Sequence, residues 1–151
     1  MTQMDRPRFS ELPPADAVAI LERNQFGRLA FSFHDRIDIE PLSFVFADQF
    51  IYFRTSPGTK VTALLHHPWV AFEVDEIEGL FDWRSVVVHG TLYPVDPEGG
   101  DRERDVYSRA IGLLRKLDAA ALTSGDPAPA RTSIFRVYAD TITGRAATTA
   151  R

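Results

Sequence analysis

The segment from Tyr52 to Leu65, YFRTSPGTKVTALL, holds the side chains best suited to chemistry: the cations Arg54 and Lys60 and the hydroxyls Thr55, Ser56 and Thr59, grouped around Pro57 and Gly58. Side chains of these types in so short a span suit the capture of an anion. The glycine-to-lysine spacing does not fit a Walker A loop, so nucleoside triphosphate hydrolysis has little support. Thr59 is placed to cap a helix beginning at Lys60, and the first-turn amides of that helix would carry partial positive charge into the loop. Lys60 at a helix start opposes the helix dipole, a conflict that a bound phosphate would resolve. Three or four charge-assisted hydrogen bonds at roughly 1.5–3 kcal/mol each are comparable with the roughly −8 kcal/mol of micromolar binding. Charge and spacing alone also admit a solvated turn with two incidental cations.

Elsewhere the sequence narrows the chemistry by exclusion. There are 21 acidic residues against 17 Lys and Arg, a net charge of −4, which argues against a general nucleic-acid binder and requires any anionic ligand to be caught locally. Cysteine is absent, which removes disulfides, thiolate metal sites and cysteine nucleophiles. His66 and His67 stand at a helix end, His34 in a turn, and His89 on a strand, where it is either a packed structural residue or a substrate contact. None of these forms a set with metal-ligand spacing, and no residue is nominated as a catalytic acid, base or nucleophile. Trp69 and Trp83 suit core or interface anchors. Glu76, Glu78 and Asp82 form an acidic connection expected to be solvated.

The elements that must position these residues follow from periodicity. With 151 residues and 44% hydrophobic content, one domain covering 1–151 is expected. The opening MTQMDRPRFSELPP lacks the apolar core of a signal peptide and no run reaches the roughly 20 apolar residues of a membrane span, so a soluble, cytoplasmic protein is expected. PPADAVAILERNQFG reads as a helix with Ala17, Val18 and Leu21 inward and Gly27 ending it. From Gly27 the period becomes two, with Leu29, Phe31 and Phe33 on one face, until His34-Asp35-Arg36 turns the chain. In IDIEPLSFVFADQF the apolar positions change phase, Ile37 and Ile39 being odd and Leu42, Phe44 and Phe46 even. That change predicts a bulge at Glu40-Pro41.

Phe50–Arg54 is the next strand and Val61, Leu64 and Leu65 mark a short helix. Trp69–Glu76 and WRSVVVHGTLYPV are further strands. Val106, Ala110, Leu113, Leu114 and Leu117 define a longer helix, TSGDPAPA a loop, and RTSIFRVYADTITGR a final strand or pair. Residues 1–9 and 146–151 are expected to be flexible. Hairpin order argues for an antiparallel barrel rather than a doubly wound sheet.

Taken in order, GRLAF, PLSFVF, IYFRTSPGTKVTALLHHPWVAFEVD, WRSVVVHGTL and ITGR resemble the flavin-binding split-barrel proteins related to pyridoxamine 5'-phosphate oxidase, in particular the branch that includes nitroimidazole-resistance proteins. The similarity runs from about Gly27 to Arg145. It implies a mainly β (α+β) fold, a six-stranded antiparallel split β-barrel with short flanking helices, assembled as a homodimer with FMN in the groove between subunits. Carried onto this sequence, it assigns Arg54, Thr55, Ser56, Thr59 and Lys60 to the FMN phosphate. Pro41, Leu42 and Ser43 would line the isoalloxazine edge, and Trp83, Arg84 and Ser85 would be the partner subunit's contribution.

The resemblance further implies an oxidoreductase acting on a small-molecule substrate, the flavin carrying hydride or electrons. A deazaflavin would suit the same basic loop, and some relatives bind haem, for which no axial ligand stands out. ITGRAATTAR lacks the histidine that true pyridoxamine phosphate oxidases place there, so that specific activity is not implied. A module that binds or senses the cofactor without turnover is the alternative.

Overall fold

The computed structural model describes residues 6–149. Its elements are β1 (Pro7–Glu11), α1 (Pro14–Arg23), β2 (Phe26–Phe33), β3 (Arg36–Ser43), β4 (Val45–Ala47), β5 (Phe50–Thr55), α2 (Thr59–His66), β6 (Trp69–Gly79), β7 (Asp82–Pro94), α3 (Asp101–Leu114) and β8 (Ser133–Thr149). All strand pairings are antiparallel, in the order β3-β2-β6-β7-β8-β5-β4, with β1 added to β8. The sheet therefore has eight strands rather than six and is not closed by a β3–β4 ladder, an arrangement consistent with a split barrel.

The local chemistry explains the tight corners. His34 and Asp35 take φ of 49° and 61°, and Asp48 and Gln49 take 53° and 70°, so each two-residue connection has positive φ at both positions, the hairpin turn that matches strand twist. Between them lies the phase change, and it is not a bulge. β3 pairs with β2 without a register shift from Arg36↔Phe33 to Ser43↔Phe26. Leu42 and Phe44 point inward, while Ile37 and Ile39 lie on the exposed outer face. Pro41 is accommodated because β3 is an edge strand.

At Phe44 the chain leaves one edge of the sheet and, one residue later, begins β4 at the other. Two edges joined by a single residue must lie side by side, so the sheet is curled around its interior. Phe44 fills that interior, fully buried, with its ring edge-on to Phe72 at 4.9 Å between centroids.

Two apolar clusters lie on opposite faces of the sheet. The larger one is inside the curl and combines Leu29, Phe44, Phe53, Phe72 and Val88 with Ala17, Ile20 and Leu21 of α1 and Ala63 and Leu64 of α2. The smaller one packs Ala110, Leu113 and Leu114 of α3 on Tyr52, Val95 and Ile134. Burying the branched and aromatic side chains contributes roughly 1.5–3 kcal/mol each, which is what fixes α2, and with it Lys60, against the sheet.

Other expectations are revised. Gly27 does not end α1, which stops at Arg23; it lies in β2, where a Cβ would stand 2.5 Å from Phe72 Cε1, so glycine is needed for packing. Leu65 is exposed and Ala63 takes the inward place. The acidic connection is strand through Gly79: Glu76 accepts from Arg23 Nε at 2.8 Å and from Asn24 Nδ2 at 2.8 Å, and the Arg23 hydrogen bond chiefly lowers its pKa to about 2. His89 is exposed rather than packed. Residues 7–9 belong to β1, and Ala146–Thr149 belong to β8: all four pair with β1, and the buried Ala146 and Ala147 pair with β7 as well. The rest of the expected flexible termini, residues 1–5 and 150–151, lies outside the described residues. No helix among those described is long and apolar enough to cross a membrane.

Candidate functional site

β3 and β5 run out on either side of the seam at Phe44, and three residues separate the end of β5 from the start of α2. Between them is a cavity of about 630 Å³. Its walls include Pro41, Leu42 and Ser43 from β3, Arg54 and Thr55 from β5, Ser56 from the following turn, and Thr59 and Lys60 from α2. All eight of the residues expected on this side of the site thus line one cavity, drawn from β3, β5, the turn after it and α2. Phe26, Leu114, Leu117, Asp118 and Arg131 also line it and were not expected.

The turn that carries the hydroxyls ends at Gly58, whose φ of 155° and ψ of −161° are essentially restricted to glycine. α2 starts directly after it. Thr59 is the first helical residue and does not cap the helix; Gly58 holds the cap position and no side chain caps it. The first-turn amides therefore keep their donors free of side-chain partners at the cavity edge.

The electrostatics differ from a cluster of free cations. Lys60 Nζ lies 2.7 Å from Glu40 Oε1, in a partly exposed pair. Arg54 makes a two-pronged ion pair with Asp126, at 2.5 and 3.0 Å, and Asp118 is 3.9 Å away. The guanidinium hydrogen bonds hold the Asp126 carboxyl well below the usual carboxylate range, helped by the amides of Ala128 and Leu122. Asp126 was missed because it is remote in sequence and lies in a loop; only the composition of GDP, typical of a side chain bonding its own backbone, marked it.

Trp83, Arg84 and Ser85 are not brought to this cavity. Trp83 is on the outer face of β7 beside Phe9, Arg84 Nε is 3.7 Å from Glu76, and Ser85 donates to Glu73 at 2.7 Å. Among the described residues no group of three or more His, Asp or Glu is placed to hold a metal ion.

A curled antiparallel sheet with a polar, glycine-turned cavity at its open seam is consistent with a split-barrel type of protein. The family described as pyridoxamine 5'-phosphate oxidase matches residues 13–146, and the chain belongs to that family. Among solved structures it is similar to an FAD-binding protein of Mesorhizobium loti, at 24% identity and a TM-score of 0.73, covering 91% of this chain and 96% of the other. It is also similar to an FAD-binding protein of Mycobacterium smegmatis, at 24% identity and 0.66, covering 92% and 99%. A candidate 5-nitroimidazole antibiotic resistance protein of Bacteroides thetaiotaomicron aligns at 13% identity and 0.69, covering 93% and 88%. At these identities the likeness shows a shared fold. No curated protein matches the chain.

Proposed function

We propose that the chain binds a phosphate-bearing flavin, FMN, in the cavity at the seam and serves as an oxidoreductase on a small organic substrate. The observation that carries this reading is the convergence of Pro41–Ser43, Arg54–Ser56, Thr59 and Lys60 on one cavity in a member of this family. The cavity suits such a ligand: apolar walls from Phe26, Pro41 and Leu42 face a polar end made of Lys60, hydroxyls and uncapped helix amides. Its volume is within the range of about 300–1,000 Å³ usual for small-molecule sites.

When bound, the flavin supplies hydride or electron transfer. The residues of this chain bind and orient it. Lys60 exchanges Glu40 for the phosphate, the Ser56–Thr59 turn donates hydrogen bonds, and Leu42 and Ser43 border the ring system. FAD is a second reading, favoured by the two FAD-binding structures of like fold.

The site is completed by a second copy. Ile37 is 82% and Trp69 70% exposed on the outer face of β3-β2-β6-β7, where Ile39 and Ile77 are also uncovered, an apolar surface that a partner subunit would bury. Trp83 and Ser85 share that face and would reach the partner's groove.

Mass spectrometry of ligand released on denaturing the purified protein tests the cofactor: FMN is expected, while FAD or a deazaflavin would replace it in the same site. Flavin bleaching on addition of NADH or NADPH is the expected sign of turnover. Protein that stays colourless after incubation with FMN and FAD would refute the reading.

A further inference from the structure

The phosphate role of Arg54 conflicts with its surroundings. Its Nη1 donates to Asp126 Oδ2 at 2.5 Å and to the main-chain oxygen of Arg131 at 3.3 Å, and its Nη2 donates to Asp126 Oδ1 at 3.0 Å. Asp126 in turn accepts from the amides of Leu122 at 2.8 Å and Ala128 at 2.9 Å. The side chains are 12% and 2% exposed. Paired charge-assisted bonds of this kind are strong and directional. A phosphate taking Arg54 would leave the Asp126 carboxylate buried without its counter-charge, a costly exchange. Lys60 is different, because its partner Glu40 is 39% exposed and can return to water.

One cation on the cavity wall remains uncommitted. Arg131 is exposed, lines the cavity, and forms no ion pair among the described residues. β5 and β8 pair Arg54 with Ile134 and Thr55 with Ser133. The ladder ends there, and beyond it Arg131 and the hydroxyl-bearing turn Ser56–Gly58 line the same cavity. Arg54 holds the Arg131 carbonyl directly, and through Asp126 it fixes the preceding loop, in which Leu122 is kept at the unfavourable φ of 59°.

We propose that Arg131, not Arg54, supplies the guanidinium that binds the ligand's phosphate, and that Arg54 is a positioning residue holding the segment 115–132 so that Arg131 faces the turn. The inference rests on the cavity being a phosphate site, as in the function proposed above, but not on the ligand being a flavin.

Calorimetric titration with inorganic phosphate in a chloride buffer, repeated with FMN and with riboflavin, tests it on the full chain, Arg131→Gln and Asp126→Asn. Arg131→Gln is expected to weaken phosphate and FMN by about tenfold or more and to leave riboflavin unchanged. Asp126→Asn discriminates by sign. If Arg54 were the ligand, removing its counter-charge would tighten phosphate binding; with Arg54 as a positioning residue, the loop slackens and binding weakens. Should Asp126→Asn not fold, Arg131→Gln decides alone, since that side chain is exposed. Unchanged phosphate affinity in Arg131→Gln, tighter binding in Asp126→Asn, or no phosphate binding by the full chain overturns the inference. Phosphate binding that depends on Arg131 in a protein that takes no flavin would support it while removing the flavin reading.

Discussion

Lys60 is the residue at which stability and ligand affinity separate most cleanly. Its ammonium is 2.7 Å from Glu40, with the two side chains 20% and 39% exposed. A pair this open to water contributes roughly 0.2–1 kcal/mol, so Lys60→Met should lower the melting temperature of the ligand-free protein by only a few degrees. In the ligand complex the same ammonium meets a phosphate, and a charge-assisted hydrogen bond there contributes roughly 1.5–3 kcal/mol. Its loss corresponds to about a 10- to 150-fold rise in Kd for FMN. Riboflavin, which has no phosphate, should bind Lys60→Met and the unaltered chain alike. Glu40→Gln should act in the opposite direction, because the ligand no longer displaces a competing carboxylate, and tighten FMN by about 1.4- to 5-fold. Flavin fluorescence quenching measures all of these. Equal losses for FMN and riboflavin, or a Lys60 variant that unfolds as readily as a core variant, would refute the reasoning.

Gly27→Ala would set a methyl group 2.5 Å from Phe72 Cε1 and 2.8 Å from the Glu73 carbonyl, with Phe44 behind the ring. Overpacking of this kind costs about 1–3 kcal/mol, a fall of roughly 2–12 °C in Tm, and Phe72→Leu in the same chain should recover part of it. Glu76 has a folded-state pKa of about 2 against an ordinary 4.5, so its stabilisation is complete above pH 4.5 and is lost as the pH falls toward 2. The Tm gap between the unaltered chain and Glu76→Gln should therefore close over that window, and a gap independent of pH would contradict the ion pair. Trp69→Glu on the outer face should give monomers by sedimentation and lose FMN, whereas an unaltered sedimentation coefficient would remove the proposed dimer face.

Much of the fold could be read from local signals. The alternation of Leu29 and Phe31, the polar turn at His34-Asp35, and the helical spacing of Ala110, Leu113 and Leu114 each report a short-range cause, and each is found in place. What failed had a long-range cause. The phase change before Leu42 read as a bulge because an exposed isoleucine looks like a buried one in sequence; Ile37 and Ile39 are outward because of the face they occupy, not because of the strand they are in. The final stretch Ala146–Thr149 read as a tail because alanine and threonine carry little apolar contrast, although all four pair with β1 and the two alanines with β7 as well.

The site divides in the same way. Residues adjacent in sequence, from Arg54 to Lys60, were found by their types, and Pro41–Ser43 by resemblance; all line the cavity. Asp126, 72 residues from Arg54, sets what Arg54 can do, and nothing in its neighbourhood announced that pairing.

The crossing at Phe44 has a mechanical consequence. Because β3 and β4 share no ladder, the curl is an unstitched cuff, held shut there by one buried ring and a few flanking contacts. A molecule lodged against Ser43 on one lip and Thr55 near the other acts as the missing stitch. Occupancy should therefore stiffen this rim far more than the distant β7–β8 spine, so that amide hydrogen exchange along β3 and β5 reports a guest even when it is colourless.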